Sequence, residues 1–510
     1  MRAATLAAYN PDMNLENNIR KTNIRRTKII ATLGPATDSR ESLHAVINAG
    51  ADVLRLNMSH GPIETHAHRT RMAREIAAEL GREVAILFDL QGPKIRIEKF
   101  ANGSIELEPG ATFVLDAQDH TTPGTRERVG VSYAGLPDDV KTGDVLLLDD
   151  GLISMCVVAV DGRKIVCEVK DGGHLSDRKG INLQGGGLSI SGVADHDLPH
   201  IRLAAELEVD YVAVSFPASA ADMDHARGLL RKAGGHAYLV AKIERIEAIR
   251  NLEEICDASD AVLVARGDLG VEIGDAELPG LQKRIILTAL KHNRIVVTAT
   301  QMMQSMIENP IPTRAEVLDV ANAVLDGSDA VMLSAETAVG KHPGKVVEAM
   351  QRICLGAESH FDRVGLSAQV NLSYERIDQA IAMAAMNMAK NVSVQAIIAL
   401  TESGSTAQWL SRVQSSVPIF ALSPNAASRR RMAMFRDVYP VAHQTEGADL
   451  NRIVQNLLHL LWHKGHIKSK DRVIVTMGDT MGNQGGTNTL RLIQLGADGY
   501  MENLPDANLE

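Results

Sequence analysis

The chain is short of the features that mark several protein classes. No segment approaches about 18 uninterrupted apolar residues, so no membrane span is indicated. Residues 1–20 mix Asn, Asp, Glu and Pro without a long apolar core, and no signal peptide is expected. Cysteine is scarce: Cys156, Cys167, Cys256 and Cys354 are scattered with neither Cys-x-x-Cys nor zinc-type His spacing, which argues against a disulfide framework and fits a reducing cytoplasm. A basic excess is missing too. A net charge of -10 and a pI near 6.0 argue against nucleic-acid binding, which needs a basic stripe. Aromatics make up only 3% of the chain, leaving Ala, Val, Leu and Met to fill the cores. What remains is the composition of a large cytoplasmic enzyme.

From Thr27 to about Ile353, β-branched runs alternate with helical patterns. Eight strands are predicted: Lys28–Thr32, Val53–Asn57, Val84–Asp89, Tyr211–Ser215, Leu239–Glu244, Ala261–Ala265, Ile295–Thr300 and Ala330–Ser334. Helices such as Arg40–Ala49, Ile63–Leu80, Gln282–His292 and Arg314–Leu325 follow them. Eight βα units in about 250 residues predict an α/β fold, a (β/α)8 TIM barrel, with an open doubly wound sheet as the competing arrangement. Residues 93–185 change texture to short alternating runs and Gly-rich turns, which predicts an inserted small β-barrel acting as a lid. A new α/β alternation covers 355–496. The predicted division is an extension at 1–22, the barrel at 23–92 and 186–354, the lid at 93–185, an α/β domain at 355–496 and a tail at 497–510.

A barrel presents its C-terminal strand ends as the active-site face. Here those ends carry Thr32, Asn57 with Ser59, Asp89, Ser215, Lys242 with Glu244, Asp268, Thr300, and Ser334 with Glu336. A single polar strand end only reaches solvent; eight converging ones suggest chemistry. Two hard carboxylates, Glu244 and Asp268, suit Mg2+ or Mn2+, which keep waters and substrate oxygens as further ligands. Lys242 and Glu244 project to one face, so the lysine either bridges Glu244 or neutralises a transferring anion. Arg55, Asn57 and Ser59 alternate likewise.

The most distinctive text is Thr298 through Glu316, TATQMMQSMIENPIPTRAE. Together with Thr32–Thr37 (TLGPAT), Arg55–Gly61 (RLNMSHG), Asp89–Lys94 (DLQGPK), Val264–Glu272 (VARGDLGVE) and Met332–Thr337 (MLSAET), it makes the chain resemble the pyruvate kinase family over residues 24–496. The likeness is strongest to the bacterial type carrying Thr401-Glu-Ser-Gly404.

The resemblance implies transfer of the phosphoryl group of phosphoenolpyruvate to ADP, giving ATP and pyruvate in glycolysis. It implies that Glu244 and Asp268 hold the divalent ion, and that Lys242 and Arg55 stabilise the moving phosphoryl group. The backbone of Ala265, Arg266, Gly267 and Asp268 would seat the substrate carboxylate, while Thr300, Ser334 and Glu336 deliver the enolate proton. Pro35, His60, Arg96 and Lys179 would contact the nucleotide, with Asp149 and Asp150 as lid residues. Potassium-dependent members carry Thr-Lys after the aspartate matching Asp89 and a Glu at the position of Lys94. This chain has Leu90, Gln91 and Lys94, so activity without potassium is expected, with Asn57, Ser59 and Asp89 as neighbours of the lysine charge.

The resemblance further implies an effector site at Thr401, Glu402, Ser403, Gly404, Ser405 and Thr406, under a loop at 478–486, for a phosphorylated sugar or AMP, in a homotetramer. A phosphoenolpyruvate aldolase would need no nucleotide, so Arg96 and Lys179 argue against a lyase. A silent regulatory relative would be free to lose Lys242, Glu244, Asp268 and Thr300.

Overall fold

The computed structural model describes residues 24–190, 192–359, 374, 376–413, 415–442, 450–478, 485–497 and 499–501. Residues 1–22 and most of 497–510 lie outside the described part. The described chain divides into two compact units. One comprises residues 28–349 with 426–436; the other takes 350–425 and 437–510 together with the N-terminal residues through 27.

The first unit begins with strand β1 (Lys28–Leu33), helix α1 (Arg40–Asn48), β2 (Val53–Asn57), α2 (Ile63–Glu79) and β3 (Ala85–Asp89). Ser39 starts α1 by accepting the Ser42 N–H at 3.1 Å, an ordinary N-cap. An insertion then supplies β4 (Ser104–Leu107), β5 (Thr112–Asp116), β6 (Arg128–Gly130), β7 (Val145–Leu148), β8 (Ile153–Asp161), β9 (Lys164–Asp171), β10 (Gly173–Ser176) and β11 (Ile181–Leu183). The alternation resumes with α3 (Leu198–Glu206), β12 (Tyr211–Val214), α4 (Ala220–Lys232), β13 (Tyr238–Ile243), α5 (Ile246–Arg250), α6 (Leu252–Ala258), β14 (Ala261–Ala265) and α7 (Arg266–Ile273). It closes with α8 (Leu278–Lys291), β15 (Ile295–Ala299), α9 (Arg314–Leu325), β16 (Ala330–Leu333), α10 (Ala335–Ala338) and the first half of α11 (Pro343–Ser359), whose residues from Met350 on group with the second unit.

Strands β1, β2, β3 and β12–β16 pair in parallel as a closed eight-stranded barrel, not an open sheet. Their side chains are almost entirely buried, as expected of strands covered by helices outside and packed layers inside. Ser215, Glu244, Thr300 and Ser334, predicted as the last residues of their strands, stand just beyond them. At Thr300 the reason is visible: its φ of 69° is incompatible with an extended ladder.

The insertion forms a six-stranded sheet, β11-β7-β8-β9-β5-β6, and a separate β10-β4 ladder. The two edges of the larger sheet meet one short segment, because Ile97 bridges to Val131 beyond β6 and Arg96 bridges to Gly180 before β11. Closure through these bridges surrounds a core that includes Phe113, Leu115, Leu146, Met155, Ile165 and Val169.

Four aspartates organise the opposite end of the main barrel. Asp52, Asp210, Asp260 and Asp329 each precede an even-numbered strand of the eight and accept the N–H of the second residue of the strand before it. The acceptor distances are 2.9 Å from Ile29, 2.9 Å from Ile86, 2.8 Å from Leu239 and 2.9 Å from Val296.

The second unit contains α12 (Ile377–Asn391), β17 (Ala396–Leu400), α13 (Ser405–Arg412), β18 (Ile419–Ser423), β19 (Val438–Ala442), α15 (Leu450–His463), β20 (Arg472–Met477) and β21 (Thr489–Gln494). Its sheet runs β19-β18-β17-β20-β21, parallel except for the last strand. Between β18 and β19 the chain makes α14 (Ala426–Met432), which groups with the barrel unit instead, although its residues fall inside the predicted 355–496 division.

Candidate active site

Lys242 anchors the site. It is the penultimate residue of β13, and its Nζ lies 2.8 Å from Glu244 Oε1, 3.3 Å from Asp89 Oδ1 and 2.8 Å from Ser215 Oγ. Residues two apart on a strand share a face, so the Lys242–Glu244 contact follows from local geometry. Asp89, at the end of β3, also takes Nε of Arg55 at 2.7 Å and its second guanidinium arm at 2.6 Å; Arg55 donates further to Thr32 Oγ1 at 2.9 Å. Burial would raise the Asp89 pKa, but Lys242 and Arg55 outweigh it and hold the carboxyl below its ordinary value. Burial would likewise lower Lys242, yet Asp89 and Glu244 raise it above the usual lysine value. The lysine is a permanent ammonium at neutral pH.

Glu244 behaves in the opposite sense. Burial, together with the nearby Asp268 charge, pushes it up to about 7 against the pull of Lys242. Its second oxygen accepts the Phe216 N–H at 2.9 Å. Strand pairing sets Ile243 opposite Val264, so Glu244 and the Ala265–Asp268 turn leave adjacent strands at one level. A divalent cation between Glu244 and Asp268 would relieve the repulsion that raises Glu244, and two hard oxygens leave room for waters and substrate oxygens. Among the described residues no cluster of three or more metal-ligating His, Cys, Asp or Glu side chains occurs. The donor set therefore fits Mg2+ or Mn2+ and no all-protein cage.

Helix α7 opens directly after β14, with Asp268 in its first turn. The Arg266 side chain is turned to structural work: it bonds the carbonyls of Ala299 at 3.1 Å and Thr300 at 2.6 Å, and Asp319 at 2.6 Å. The Arg266 side chain is thereby tied to the neighbouring strand end and helix α9. Gly267 N donates to Thr300 Oγ1 at 3.0 Å. Thr300 and Gln301 both have positive φ, 69° and 54°, an uncommon pair of conformations pinned by Arg266. Glu336 is buried and accepts the N–H groups of Ser334 at 2.6 Å and Met303 at 3.1 Å.

The remaining predicted residues fall into separate places. Lys94 Nζ bonds Asp268 Oδ1 at 2.7 Å, not Asn57, Ser59 or Asp89. Asn57 Oδ1 instead accepts the Ser59 N–H at 3.1 Å, and Leu90 is buried with its carbonyl on Ser215. Pro35 opens a short 3-10 turn above β1, and His60 is exposed after β2. Arg96 and Lys179 lie on neighbouring segments of the inserted sheet, where Arg96 donates to Arg178 O at 3.0 Å and Lys179 pairs with Asp149 at 2.7 Å. Asp149 and Asp150 both have positive φ.

In the second unit, Thr401 Oγ1 accepts the Gly404 N–H at 3.0 Å, Ser403 Oγ accepts the Ser405 N–H at 3.4 Å, and Ser423 donates to Glu402 O at 3.1 Å. Thr406 meets Thr487 at 2.7 Å. Residues 479–484 of the predicted covering loop lie outside the described residues.

One contributor carries no sequence signal, and another shows its role only in the fold. Ser215 was visible as a polar strand end, but its bridge from Lys242 to the Leu90 carbonyl needs the fold. Phe216 aims its N–H at Glu244 through a left-handed φ of 56°, and no residue type signals that.

Comparison with known proteins gives a consistent picture. The family model described as pyruvate kinase, barrel domain, matches residues 24–347, and that described as pyruvate kinase, alpha/beta domain, matches 379–493. The chain is 52% identical over 475 residues to pyruvate kinase II of Salmonella typhimurium, covering 92% of this chain and 98% of that one. It is 48% identical over 474 residues to a pyruvate kinase of Haemophilus influenzae, covering 91% and 97%. A crystal structure of a pyruvate kinase from Cryptosporidium parvum superposes with a TM-score of 0.87 at 34% identity, covering 94% of this chain and 97% of that one.

Proposed function

The chain belongs to the pyruvate kinase family, and we propose how its own residues divide the work of that phosphotransferase. The reaction carries the phosphoryl group of phosphoenolpyruvate to ADP and yields pyruvate and ATP, a glycolytic step. One observation supports the assignment above the others: an ammonium fixed among Asp89, Glu244 and Ser215, beside a second carboxylate at Asp268.

Lys242 and Arg55 stabilise the charge of the phosphoryl group in flight. Being held fully protonated, Lys242 serves as a fixed charge and not as the acid that protonates the enolate. Glu244 and Asp268 would hold the Mg2+ that the family generally uses, an ion that supplies Lewis-acid polarisation of the enolate oxygen and neutralises phosphate charge. The Ala265–Asp268 backbone orients the substrate carboxylate. Thr300, Ser334 and Glu336 convey a proton to the enolate carbon. Pro35, His60, Arg96 and Lys179 take the nucleotide, with the inserted sheet as a lid that excludes water.

Lys94 replaces the potassium requirement by placing an internal ammonium beside Asp268. The Thr401–Thr406 turn receives a phosphorylated sugar or AMP, and the chain assembles as a cytoplasmic homotetramer. Among the described residues, no helix is long and apolar enough to cross a membrane.

Turnover of phosphoenolpyruvate and ADP, coupled to lactate dehydrogenase, tests the reading. Lys242→Met should abolish phosphoryl transfer yet leave proton exchange into added pyruvate; loss of both activities would contradict the assigned role. Adding AMP and sugar monophosphates to the same assay tests the effector site.

A further inference from the structure

Where the inserted sheet returns to the barrel, the sequence reads Gly185-Gly186-Gly187, and φ is 85°, 78° and 117° at the three positions. Three successive glycines form the freest backbone the chain can make, a swivel if left alone. They are not left alone. Gly187 donates its N–H to Glu247 Oε1, and Gly185 N reaches the Glu272 carbonyl at 3.4 Å. A β-carbon on Gly186 would overlap Ile246 Cγ2 and crowd Glu247 Oε1. Just beyond, Arg245, itself buried, donates to the carbonyls of Leu188 and Ile190 and pairs with Glu247 at 3.2 Å. Glu272 ties the last strand of the insertion to the barrel, taking Asn182 Nδ2 at 3.5 Å on one oxygen and the Ile246 N–H at 3.0 Å on the other.

The anchoring helices are α5 and α7. Glu247 follows Glu244 by three residues. Glu272 follows Asp268 by four along α7, which sets the two on one helical face. We propose that Glu247 and Glu272 are positioning residues for phosphoryl transfer: they clamp the triple-glycine hinge to the two segments that carry Glu244 and Asp268. The setting of the nucleotide-bearing sheet and the setting of the two carboxylates are thereby fixed together. This rests on the proposed nucleotide role of Arg96 and Lys179, which ride on that sheet. Burial, with the Glu247 charge behind it, pushes Glu272 up to about 7.

Steady-state kinetics of the full chain test the clamp. Glu272→Met removes both acceptors and should raise KM for ADP by about tenfold or more while KM for phosphoenolpyruvate moves less than about twofold, because misplacement falls on the sheet side. Glu272→Gln should restore near-normal KM for ADP, since its carbonyl still accepts from Ile246 and its amide can pair with a flipped Asn182. Gly186→Ala should reproduce the ADP effect by pushing the hinge off Ile246. A merely structural role would lower the active fraction, hence kcat, and leave KM for ADP unchanged; that result in Glu272→Met overturns the proposal, as does failure of the Gln variant to rescue. Arg96→Gln tests the nucleotide reading separately. If it leaves KM for ADP unchanged while Glu272→Met raises it, the clamp stands and the assignment of Arg96 falls.

Discussion

His66 shows how one residue sets a pH limit. It is almost fully buried, with the His200 ring edge-on to its own at 6.4 Å between centroids. Burial first, then the charge of Arg69 and the neighbouring His200, lower its pKa to about 4, against a backbone bond at His60 that raises it. The folded state thus favours the neutral ring. Its contribution to stability is complete above the unfolded value of about 6.5 and is lost as pH falls from there through about 4, because only the unfolded chain takes up the proton in that window. Urea midpoints at pH 7 and pH 5 should show a smaller acid loss in His66→Phe than in the parent; equal losses would place the acid sensitivity elsewhere. Lys94 sets a different dependence. Turnover in buffer free of sodium and potassium should match that with potassium added, and an absolute potassium requirement would refute the proposed substitution of charge.

At the scale of elements, two devices repay attention to spacing. Thr313-x-x-Glu316 is a capping box: Thr313 Oγ1 accepts the Glu316 N–H at 3.3 Å, and the Glu316 carboxylate takes the Thr313 N–H at 2.7 Å. The same carboxylate accepts the Ser305 N–H at 2.7 Å, so part of the most distinctive sequence segment serves to start α9 and pin the turn after Thr300. The pattern was readable as a helix start; its reach to Ser305 was not.

The second device is the ring of Asp52, Asp210, Asp260 and Asp329. Asp210 is buried and pairs with Arg430 of α14 at 2.8 Å. Arg430→Met would remove the cation bonded to that carboxylate, leaving it the Ile86 N–H and the Arg74 charge, and should cost about 3 kcal/mol in denaturant-unfolding free energy. Adding Asp210→Asn should recover part of the loss, and an additive or larger loss in the double variant would argue against a direct pair.

For the whole molecule, the division into units does not follow the order of the sequence. Residues 426–436 lie between strands of the second unit yet complete the barrel: Arg431 packs over Tyr238 at 4.5 Å, and the buried Arg436 donates to Val324 O at 3.1 Å and Ser328 O at 2.9 Å. A chain ended after Ser359 should therefore yield a barrel less stable than the full protein. Equal thermal stability of its barrel would show that α14 contributes nothing there.

The sequence alone determined the βα alternation, the eight strands, the inserted sheet and the identity of the polar strand ends. These follow from local periodicity, since burial on both faces of a strand demands continuous apolar runs and lets charge appear only at their ends. It also placed Lys242 and Glu244 on one face, because strand geometry puts positions two apart together, and left open whether they bridge. Tertiary structure alone decided which charges meet across the barrel. Lys94 reaches Asp268, Phe216 turns its amide to Glu244, Glu272 holds Asn182, and Arg430 seeks Asp210. Such contacts join residues far apart in the chain. They depend on strand order, register and a few left-handed backbone turns, none of which is encoded in any local spacing.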